Sequence, residues 1–443
     1  MPIGPIQLLR QATTAQRRTL LAASLGWMLD AFDAMLYALV LTHVMRDLGM
    51  SKATSGLLYT LTLLASGMGG VLFGFLADRV GRKRALMLSI LTYSVCSFAS
   101  GLSTTVISLA VFRFILGLGM GGEWNTGATL VAETWPDELR AKAISVVQSS
   151  WAIGFALAAL VSGIVLRYAS WRYVFFVGIL PALITLWIQN RVPESEMWKQ
   201  HKKDQNLEPQ RSQRTKEESQ VLNPLRTQRS PQSESAASSG DSFVRIFRTP
   251  YLKSTLALLF LNFFGMFGWW GLFTWLPPYL SLPVEQGGRG FGVMGTTTLL
   301  VVLNLFGMFP GYASFGWVAD HMGRRRAFML YTTMAALLVP LYATARSPLA
   351  LLVLGTIVAF FGTGMFSGSG IIASEIFPTR LRARALGFTY NGARTLSSVA
   401  PYVIGRVGQA RGLSWAFYLC GAAFALACIM ATQLPETKGR SLE

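Results

Sequence analysis

Long apolar stretches separated by short polar segments dominate the hydropathy pattern of this chain. A helix needs about 20 mostly apolar residues to cross the hydrocarbon core of a bilayer. Runs of this length predict twelve spans, at residues 19–41, 55–77, 84–102, 105–130, 141–166, 171–191, 253–280, 293–319, 326–345, 348–372, 383–406 and 412–433. We therefore expect an all-α membrane protein.

The longest polar interruption, from Lys199 to about Asp241, is rich in Gln, Ser, Glu, Lys, Arg and Pro. Such a segment has too little apolar surface to form a packed core. It separates six predicted spans from six others. We predict an N-terminal six-helix bundle at residues 1–191, a largely disordered cytoplasmic linker at residues 192–250, and a C-terminal six-helix bundle at residues 251–443.

Composition agrees with a membrane location, because only 14% of the residues are charged and 52% are hydrophobic. Soluble domains carry roughly 25% charged residues. The net charge of +18 raises the question of nucleic acid, but the sequence contains no zinc-ligand spacing and no aromatic RNA-binding motif. We therefore expect the chain to lie in a lipid bilayer and to bind no nucleic acid.

Cations mark alternate loops of the predicted topology. They lie at residues 79–84, 140–142, 324–326 and 380–384, all on one side of the membrane if the spans are right. Loops rich in Lys and Arg remain cytoplasmic. We therefore predict that both termini are cytoplasmic in a multi-pass protein of the plasma membrane, with a preference for a bacterial inner membrane.

Three motifs repeat at one constant offset of 242 residues. The matching pairs are residues 74–84 (GFLADRVGRKR) with 316–326 (GWVADHMGRRR), 133–143 with 375–385, and 193–195 (PES) with 435–437 (PET). A single register for three motifs indicates two homologous halves. We expect a pseudo-twofold axis along the membrane normal, with one substrate path between the halves near the midplane.

Over nearly its whole length the chain resembles the major facilitator superfamily. Residues 74–84 are similar to that superfamily's loop signature between spans two and three, and Arg113-x-x-x-Gly117-x-Gly119 to its fourth-span signature. The resemblance implies two six-helix bundles and alternating access.

Finer resemblances lie in residues 30–33 (DAFD), 122–124 (GEW) and 274–277 (TWLP). They are similar to proton symporters for sialate, lactate and related organic acids, and aromatic-acid symporters are close rivals. The PES and PET motifs are also similar to sugar porters, but the glutamine-rich seventh-span pattern of sugar porters is absent from residues 261–280.

Asp30 and Asp33 lie on one face of the first span, and Tyr37 extends this face as a candidate substrate contact. A carboxylate at the centre of a span must face a cavity, find a cation or carry a proton. Repulsion between two nearby carboxylates favours a proton on one of them. We predict proton coupling here, with a structural ion pair to Arg113 as the alternative.

Arg113 is a permanent positive charge in the fourth span, because a guanidinium does not lose its proton in a protein. Its candidate partners are Asp30, Asp33, Glu123 or the substrate. The resemblance implies a role for this arginine in proton coupling. Glu123 joins the same candidate set.

Candidate substrate contacts form a polar stripe in span eleven, where Tyr390, Asn391 and Arg394 follow helical spacing. A guanidinium holds a carboxylate through two parallel hydrogen bonds, which favours Arg394 as the anchor for an organic anion. The alternative is that Arg394 reaches toward the cytoplasmic surface. Gln148 occupies the repeat position of Tyr390.

Asn262 and Asn304 are further candidates for substrate binding, with interhelical hydrogen bonds as the alternative. Trp269, Trp270 and Trp275 either shape a pocket or lie at the membrane interface, where aromatic residues concentrate.

The paired loop motifs are interpreted as a gate that holds one face of the transporter closed and opens as the halves rock. Its candidate residues are Asp78, Arg79, Arg82, Glu133, Arg140, Asp320, Arg324, Glu375 and Arg382. Topology alone is the alternative, because cytoplasmic cations also satisfy the positive-inside rule.

These features favour a monomeric secondary transporter that moves a small organic anion with protons. Alternatives are a sugar:proton symporter, a drug or cation efflux antiporter, and a transporter-like nutrient sensor. The sequence contains no phosphate-binding loop, and its three histidines show no metal-ligand or catalytic-triad spacing. We predict no enzyme activity, no metal and no cofactor.

Overall fold

The computed structural model describes residues 12–200, 245–378, 381 and 385–438, and all regular structure in these ranges is helical. The predicted all-α architecture is therefore confirmed. Most of the predicted linker, from residue 201 to residue 244, lies outside the described residues.

Five long helices and two short ones form the first half. They are α1 (Thr14–Asp47), α2 (Lys52–Val80), α3 (Arg82–Gly101), α4 (Val106–Thr134), α5 (Asp137–Tyr168), α6 (Trp171–Val177) and α7 (Ala182–Arg191). A capping box starts α1, because Thr13 and Gln16 each bond to the other's backbone N–H. Together α6 and α7 make the sixth span, and the break between them precedes Pro181, which has no N–H to donate.

The second half repeats this order with two interruptions. Its helices are α8 (Leu252–Ser281), α9 (Val293–Val302), α10 (Phe309–Met322), α11 (Arg324–Thr344), α12 (Pro348–Ile376), α13 (Gly392–Ser397), α14 (Ala400–Arg411) and α15 (Leu413–Thr432). A π-helical turn at Leu303–Met308 joins α9 to α10, and a second π turn at Gly387–Asn391 leads into α13.

Ten helices of the described ranges are long and apolar enough to cross a membrane. The other two predicted spans are helical as well. One is α3, whose 20 residues include four serines, and the other is built from the π turn at Gly387–Asn391 followed by α13 and α14.

Packing within each half produces two bundles. In the first half α2 and α3 contact α4, and α1 contacts α5; in the second, α8 and α11 contact α15. The halves meet where α2 contacts α14, α5 contacts α9, and α1 contacts α8. A Cβ at Gly121 would overlap the backbone of Ser66 and Gly70, so this glycine lets α4 approach α2 closely.

The two ends of the bundle differ in charge. The α2–α3 and α10–α11 junctions lie at the end that we call the basic face, after the arginines at residues 82, 84 and 324–326. The α1–α2 and α14–α15 junctions lie at the other end, which we call the opposite face.

Candidate functional site

Asp30 and Asp33 are fully buried near the middle of α1, but their surroundings differ. Ser97 of α3 donates a 2.8 Å hydrogen bond to Asp33 Oδ1. Neither carboxylate oxygen of Asp30 has a hydrogen-bond partner among the described residues. The Asp33 carboxylate is therefore held in place, whereas the Asp30 carboxylate is available to a proton or another group.

Arg113 of α4 is also fully buried. Its guanidinium carbon lies 4.9 Å from the ring centroid of Tyr37 and 5.9 Å from that of Tyr59. Both tyrosine hydroxyls donate elsewhere, to the carbonyls of Ser55 and Ala34. Asp33 is the carboxylate whose charge acts on Arg113, so the guanidinium is stabilised by two ring faces and one acidic side chain.

Arg394 of α13 faces the acidic residues of the other half. It is 6% exposed, its guanidinium carbon lies 5.9 Å from the ring centroid of Trp27, and its charge acts on both Asp30 and Glu123. A side chain at Gly26 would overlap Glu123 Oε1, so α1 leaves room for this carboxylate. The predicted alternative, in which Arg394 reaches the cytoplasmic surface, does not fit this burial.

A small central cavity of about 40 Å³ lies between the halves. Its lining combines aromatic rings with three predicted substrate contacts, Gln148, Tyr390 and Arg394. It consists of Trp27, Gln148, Trp151, Met266, Trp269, Trp270, Tyr312, Phe366, Tyr390 and Arg394. Gln148 and Tyr390, which occupy equivalent repeat positions, both line this cavity.

Five tryptophans form a continuous cluster at this cavity, which we call the tryptophan cluster: Trp27, Trp124, Trp151, Trp269 and Trp270. Neighbouring ring centroids lie between 4.5 and 6.0 Å apart. Here the structure differs from a placement of Trp269 and Trp270 at the membrane interface. Both rings pack against Trp151 of α5, and Trp270 also packs against Tyr59 of α2, in the protein interior.

Four other predicted substrate contacts lie outside the cavity lining. Tyr37 packs on Arg113, and Asn262 bonds to Thr389 and Ser369, so its amide joins helices. Asn304 donates to the carbonyl of Leu300 within its own helix. Asn391 is partly buried at the end of the π turn, next to Tyr390, which does line the cavity.

At the basic face, Arg82 joins two acidic residues of the first half. Its Nη1 lies 2.7 Å from Asp78 Oδ1 and its Nη2 lies 3.1 Å from Glu133 Oε1. The arginine side chain thus ties the end of α2 to the end of α4.

The second half repeats this network at the offset of 242 residues. Arg324 Nη1 lies 2.8 Å from Asp320 Oδ1, and its Nη2 lies 2.8 Å from Glu375 Oε1. Each network joins helices of one half only. Among the described residues, the networks of Arg82 and Arg324 therefore brace each bundle internally.

The acids of the PES and PET motifs occupy the N-termini of two helices. Glu194 accepts from the backbone N–H of Lys83, and Glu436 from that of Arg324. Burial acts against ionisation of Glu436, but the hydrogen bonds from the backbone N–H groups of Arg324, Lys438 and Thr437 outweigh it and lower the pKa of Glu436. These carboxylates complement the positive ends of α3 and α11.

The remaining gate candidates are Arg79, Arg140 and Arg382. Arg79 is exposed on α2, Arg140 is partly buried on α5, and Arg382 lies outside the described residues.

Direct contacts between the halves close the opposite face. Lys52 Nζ donates to the carbonyls of Gln286 and Gly408, at 3.0 and 3.5 Å. Gln409 Oε1 accepts from the backbone N–H of Ala53 at 3.2 Å. The start of α2 is thereby fixed against the end of α14.

Sequence reasoning missed several residues that the structure brings to this site. Trp27 and Trp151 line the cavity, and Ser97 orients Asp33. A usable signal was present, because Trp27 lies three residues before Asp30 and Trp151 three residues after Gln148. Helical spacing places each tryptophan on the face of a predicted functional residue.

Comparison with known protein families gives one assignment for nearly the whole chain. The model of the Major Facilitator Superfamily matches residues 23–314 and 288–442.

Two similar proteins are transporters of named organic acids. A probable 4-methylmuconolactone transporter of Cupriavidus pinatubonensis is 31% identical, with 97% of this chain and 92% of the relative covered. The sialic acid transporter NanX of Escherichia coli is 31% identical, with 95% and 94% covered. Among solved structures, the xylose transporter XylE from E. coli, in a partially occluded inward open conformation, matches with a TM-score of 0.74 and 18% identity over 97% of this chain and 100% of that one.

Proposed function

Because the chain belongs to the Major Facilitator Superfamily, we propose that it is a secondary active transporter that carries a small organic anion together with a proton. Alternating access between the two halves moves both across the membrane. The transporter class and the multi-pass membrane location follow from the family. The anion, the proton and the direction of coupling are the proposal.

One observation carries it: Arg394 lies in the central cavity and faces Asp30 and Glu123 across the boundary between the halves. A guanidinium in a cavity binds a carboxylate strongly, because its fork of N–H donors matches two oxygens. Lipophilic cations would meet repulsion at this position. The arrangement therefore supports an anion over a cationic drug.

Coupling follows from competition for the positive charge of Arg394. Without substrate, Arg394 attracts Asp30 and Glu123. A substrate carboxylate that binds Arg394 neutralises its charge, so Arg394 no longer attracts Asp30 and Glu123. A buried carboxylate without a cationic partner favours its protonated form. Asp30 then takes up a proton, which compensates the charge of the anion.

The similar transporters support an organic acid, because 4-methylmuconolactone and sialic acid both carry a carboxyl group. The cations of the basic face support cytoplasmic termini in a bacterial inner membrane. We extend the proposal to a monomer, since each half of one chain supplies part of the cavity.

Proteoliposomes in a weakly buffered medium that contains an external pH-sensitive dye test this function. Lactate, pyruvate, sialate, benzoate and glucose are added in turn, and proton movement is recorded. We expect external alkalinisation with at least one acid, loss of this signal in Asp30→Asn, and a KM raised about tenfold or more in Arg394→Gln.

Arg411→Gln, which changes an exposed arginine at the end of α14, serves as the matched control and should keep the wild-type KM. Proton movement with none of the acids, together with uptake of glucose or a lipophilic cation, would contradict the proposal.

A further inference from the structure

A second cavity, which we call the basic cavity, opens at the basic face where α10 ends and α11 begins. Its volume of about 580 Å³ is far larger than the 40 Å³ of the central cavity, and small-molecule sites have volumes of roughly 300–1,000 Å³. The transport cycle proposed above uses none of its side chains. The wall includes His321, Met322, Arg325, Arg326, Met329 and Lys438.

Two arginines of the basic cavity have no acidic partner. Arg324, the first residue of α11, is held by Asp320 and Glu375. The next two residues, Arg325 and Arg326, form no ion pair and no side-chain hydrogen bond within the part of the chain that the structure describes. A guanidinium binds oxyanions through charge-assisted hydrogen bonds. These two side chains are therefore suited to an anionic ligand.

Glu436 also lines the basic cavity, but its carboxylate is already engaged. It accepts from the backbone N–H groups of Arg324, Thr437 and Lys438 at 2.8 to 3.1 Å, and so complements the positive end of α11. Lys438 Nζ donates to the carbonyl of His321 at 2.7 Å and has two further N–H donors. Three cations thus face one acid among the described lining residues, and the excess is positive.

Neighbouring side chains place the basic cavity at the level of the lipid headgroups. Trp317, one helical turn before His321, is 62% exposed, and the two rings pack at a centroid distance of 4.3 Å. Tryptophans on the outside of a membrane protein concentrate at the membrane interface. Toward the middle of the membrane, Leu330 of α11 and Ile429 of α15 are exposed apolar side chains. Positive charge and an acyl-chain surface therefore lie next to each other.

The corresponding surface of the first half is occupied differently. The repeat positions of the two free arginines are Lys83 and Arg84. Lys83 Nζ donates to the carbonyl of Gln189 at 2.6 Å, and Trp198 Nε1 donates to that of Asp78 at 2.8 Å. The chain that follows α7 thus lies against this surface, which makes these two cations a matched control for those of the basic cavity.

From these features we infer that the basic cavity binds the headgroup of an anionic phospholipid. Arg325, Arg326 and Lys438 hold the phosphate oxygens, and the acyl chains lie along the exposed apolar side chains of α11 and α15. A phosphate suits three cations better than a single carboxylate does, because it offers more acceptor oxygens. A lipid is favoured over a soluble phosphate, because the membrane presents its phosphates at this level and basic surfaces attract anionic lipids. The inference does not depend on the proposed anion transport.

Two lipids with identical acyl chains test the site in the purified full-length protein. Phosphatidylglycerol or phosphatidylcholine is added to mixed detergent micelles, and the unfolding temperature is measured as a function of lipid content. We expect a saturable increase with phosphatidylglycerol and little change with phosphatidylcholine, since a ligand that binds only the folded protein stabilises it. High salt should weaken the effect of phosphatidylglycerol.

Variants then assign the effect to the basic cavity. The double variant Arg325→Gln/Arg326→Gln should lower the apparent affinity for phosphatidylglycerol about tenfold or more. Lys83→Gln/Arg84→Gln removes the same charge from the first half and should keep the wild-type affinity. Arg325→Lys/Arg326→Lys retains the charge and should recover most of the affinity. The unfolding temperature without added lipid shows that each variant is folded.

Equal stabilisation by the two lipids, or equal losses of affinity in the two glutamine double variants, would overturn the inference. Inorganic phosphate that displaces phosphatidylglycerol at similar concentration would also overturn it, because the site would then be one for soluble phosphate. So would binding that occurs only in a variant lacking residues 439–443. Every readout is lipid binding, so a failure here is separate from a failure of the proposed function, which is measured as proton movement.

Discussion

Trp27 and Trp269 occupy equivalent positions of the two halves, 242 residues apart, and both line the central cavity. The same offset relates Gln148 to Tyr390, which also line it. Two pairs of lining residues therefore follow the internal repeat.

The buried charges do not follow this symmetry. The repeat positions of Asp30, Asp33, Arg113 and Glu123 are Leu272, Trp275, Gly355 and Met365, and that of Arg394 is Ala152. Acidic groups thus belong to the first half and the cavity arginine to the second. A movement of the halves that separates Arg394 from Asp30 would weaken the attraction between them, and under the proposed function this would link conformation to protonation.

The first prediction concerns Asp33 and Arg113. Asp33→Asn removes the carboxylate that acts on a fully buried guanidinium, and we expect a loss of about 3 kcal/mol in the free energy of unfolding. Arg113→Met in the same protein should recover part of this loss, since no buried guanidinium then remains without its carboxylate partner. Thermal unfolding of both single variants and the double variant in detergent measures the coupling, and additive effects would contradict it.

The second prediction compares the two acids at Arg324. The Glu375 side chain is 11% exposed, whereas that of Asp320 is 68% exposed. Glu375→Gln should therefore cost about 2 to 3 kcal/mol in stability and Asp320→Asn less than about 1 kcal/mol. Glu133→Gln and Asp78→Asn provide an internal control, because the first half repeats the geometry. A larger effect at the exposed acids would disprove this order.

The third prediction tests closure of the opposite face. The backbone N–H of Tyr402 donates to Thr60 Oγ1 at 3.3 Å, so cysteines at these two positions should form a disulfide in the closed conformation. Gln409→Ala removes the acceptor for Ala53 and should lower the yield of this crosslink. The measurement uses protein without its native cysteines. An unchanged yield in Gln409→Ala would show that this contact does not hold the face closed.

The fourth prediction uses the pH dependence of Glu436. Its pKa is lowered in the folded protein, so its contribution to stability is present above the unfolded value of about 4.3 and is lost as the pH falls through the folded value. Glu436→Ala should lower the unfolding temperature at pH 7, and the difference from wild type should shrink below about pH 4. Glu285→Ala, at an exposed loop acid, is the control. A difference that is constant across pH would refute the assignment.

The periodic signals of the sequence sufficed for the architecture. Long apolar runs placed the spans, and the 242-residue repeat related Arg82 to Arg324 before any coordinates were known. Apolar runs and an internal repeat can both be recognised within a single sequence.

The cavity itself was only partly predictable. Arg394, Gln148 and Tyr390 were predicted from their polarity, because polar residues in a membrane span face the bundle interior or a cavity. A tryptophan in a span gives no signal of this kind from its polarity, because its ring occurs in contact with lipid, at the membrane interface and in binding sites. Which rings face the path depends on how α1, α5 and α8 rotate against one another, and this rotation is a property of the packed bundle.

The π turn at Gly387–Asn391 determines where Arg394 points. A π turn holds one residue more than an α turn, which rotates everything after it by about 100° relative to a regular helix. Deleting one residue that precedes Tyr390 in this turn would direct the guanidinium away from the cavity, although every side chain of the site would still be present. In descendants of this chain, insertions and deletions of one residue are thus a route to new substrate ranges that a comparison of binding residues alone would overlook.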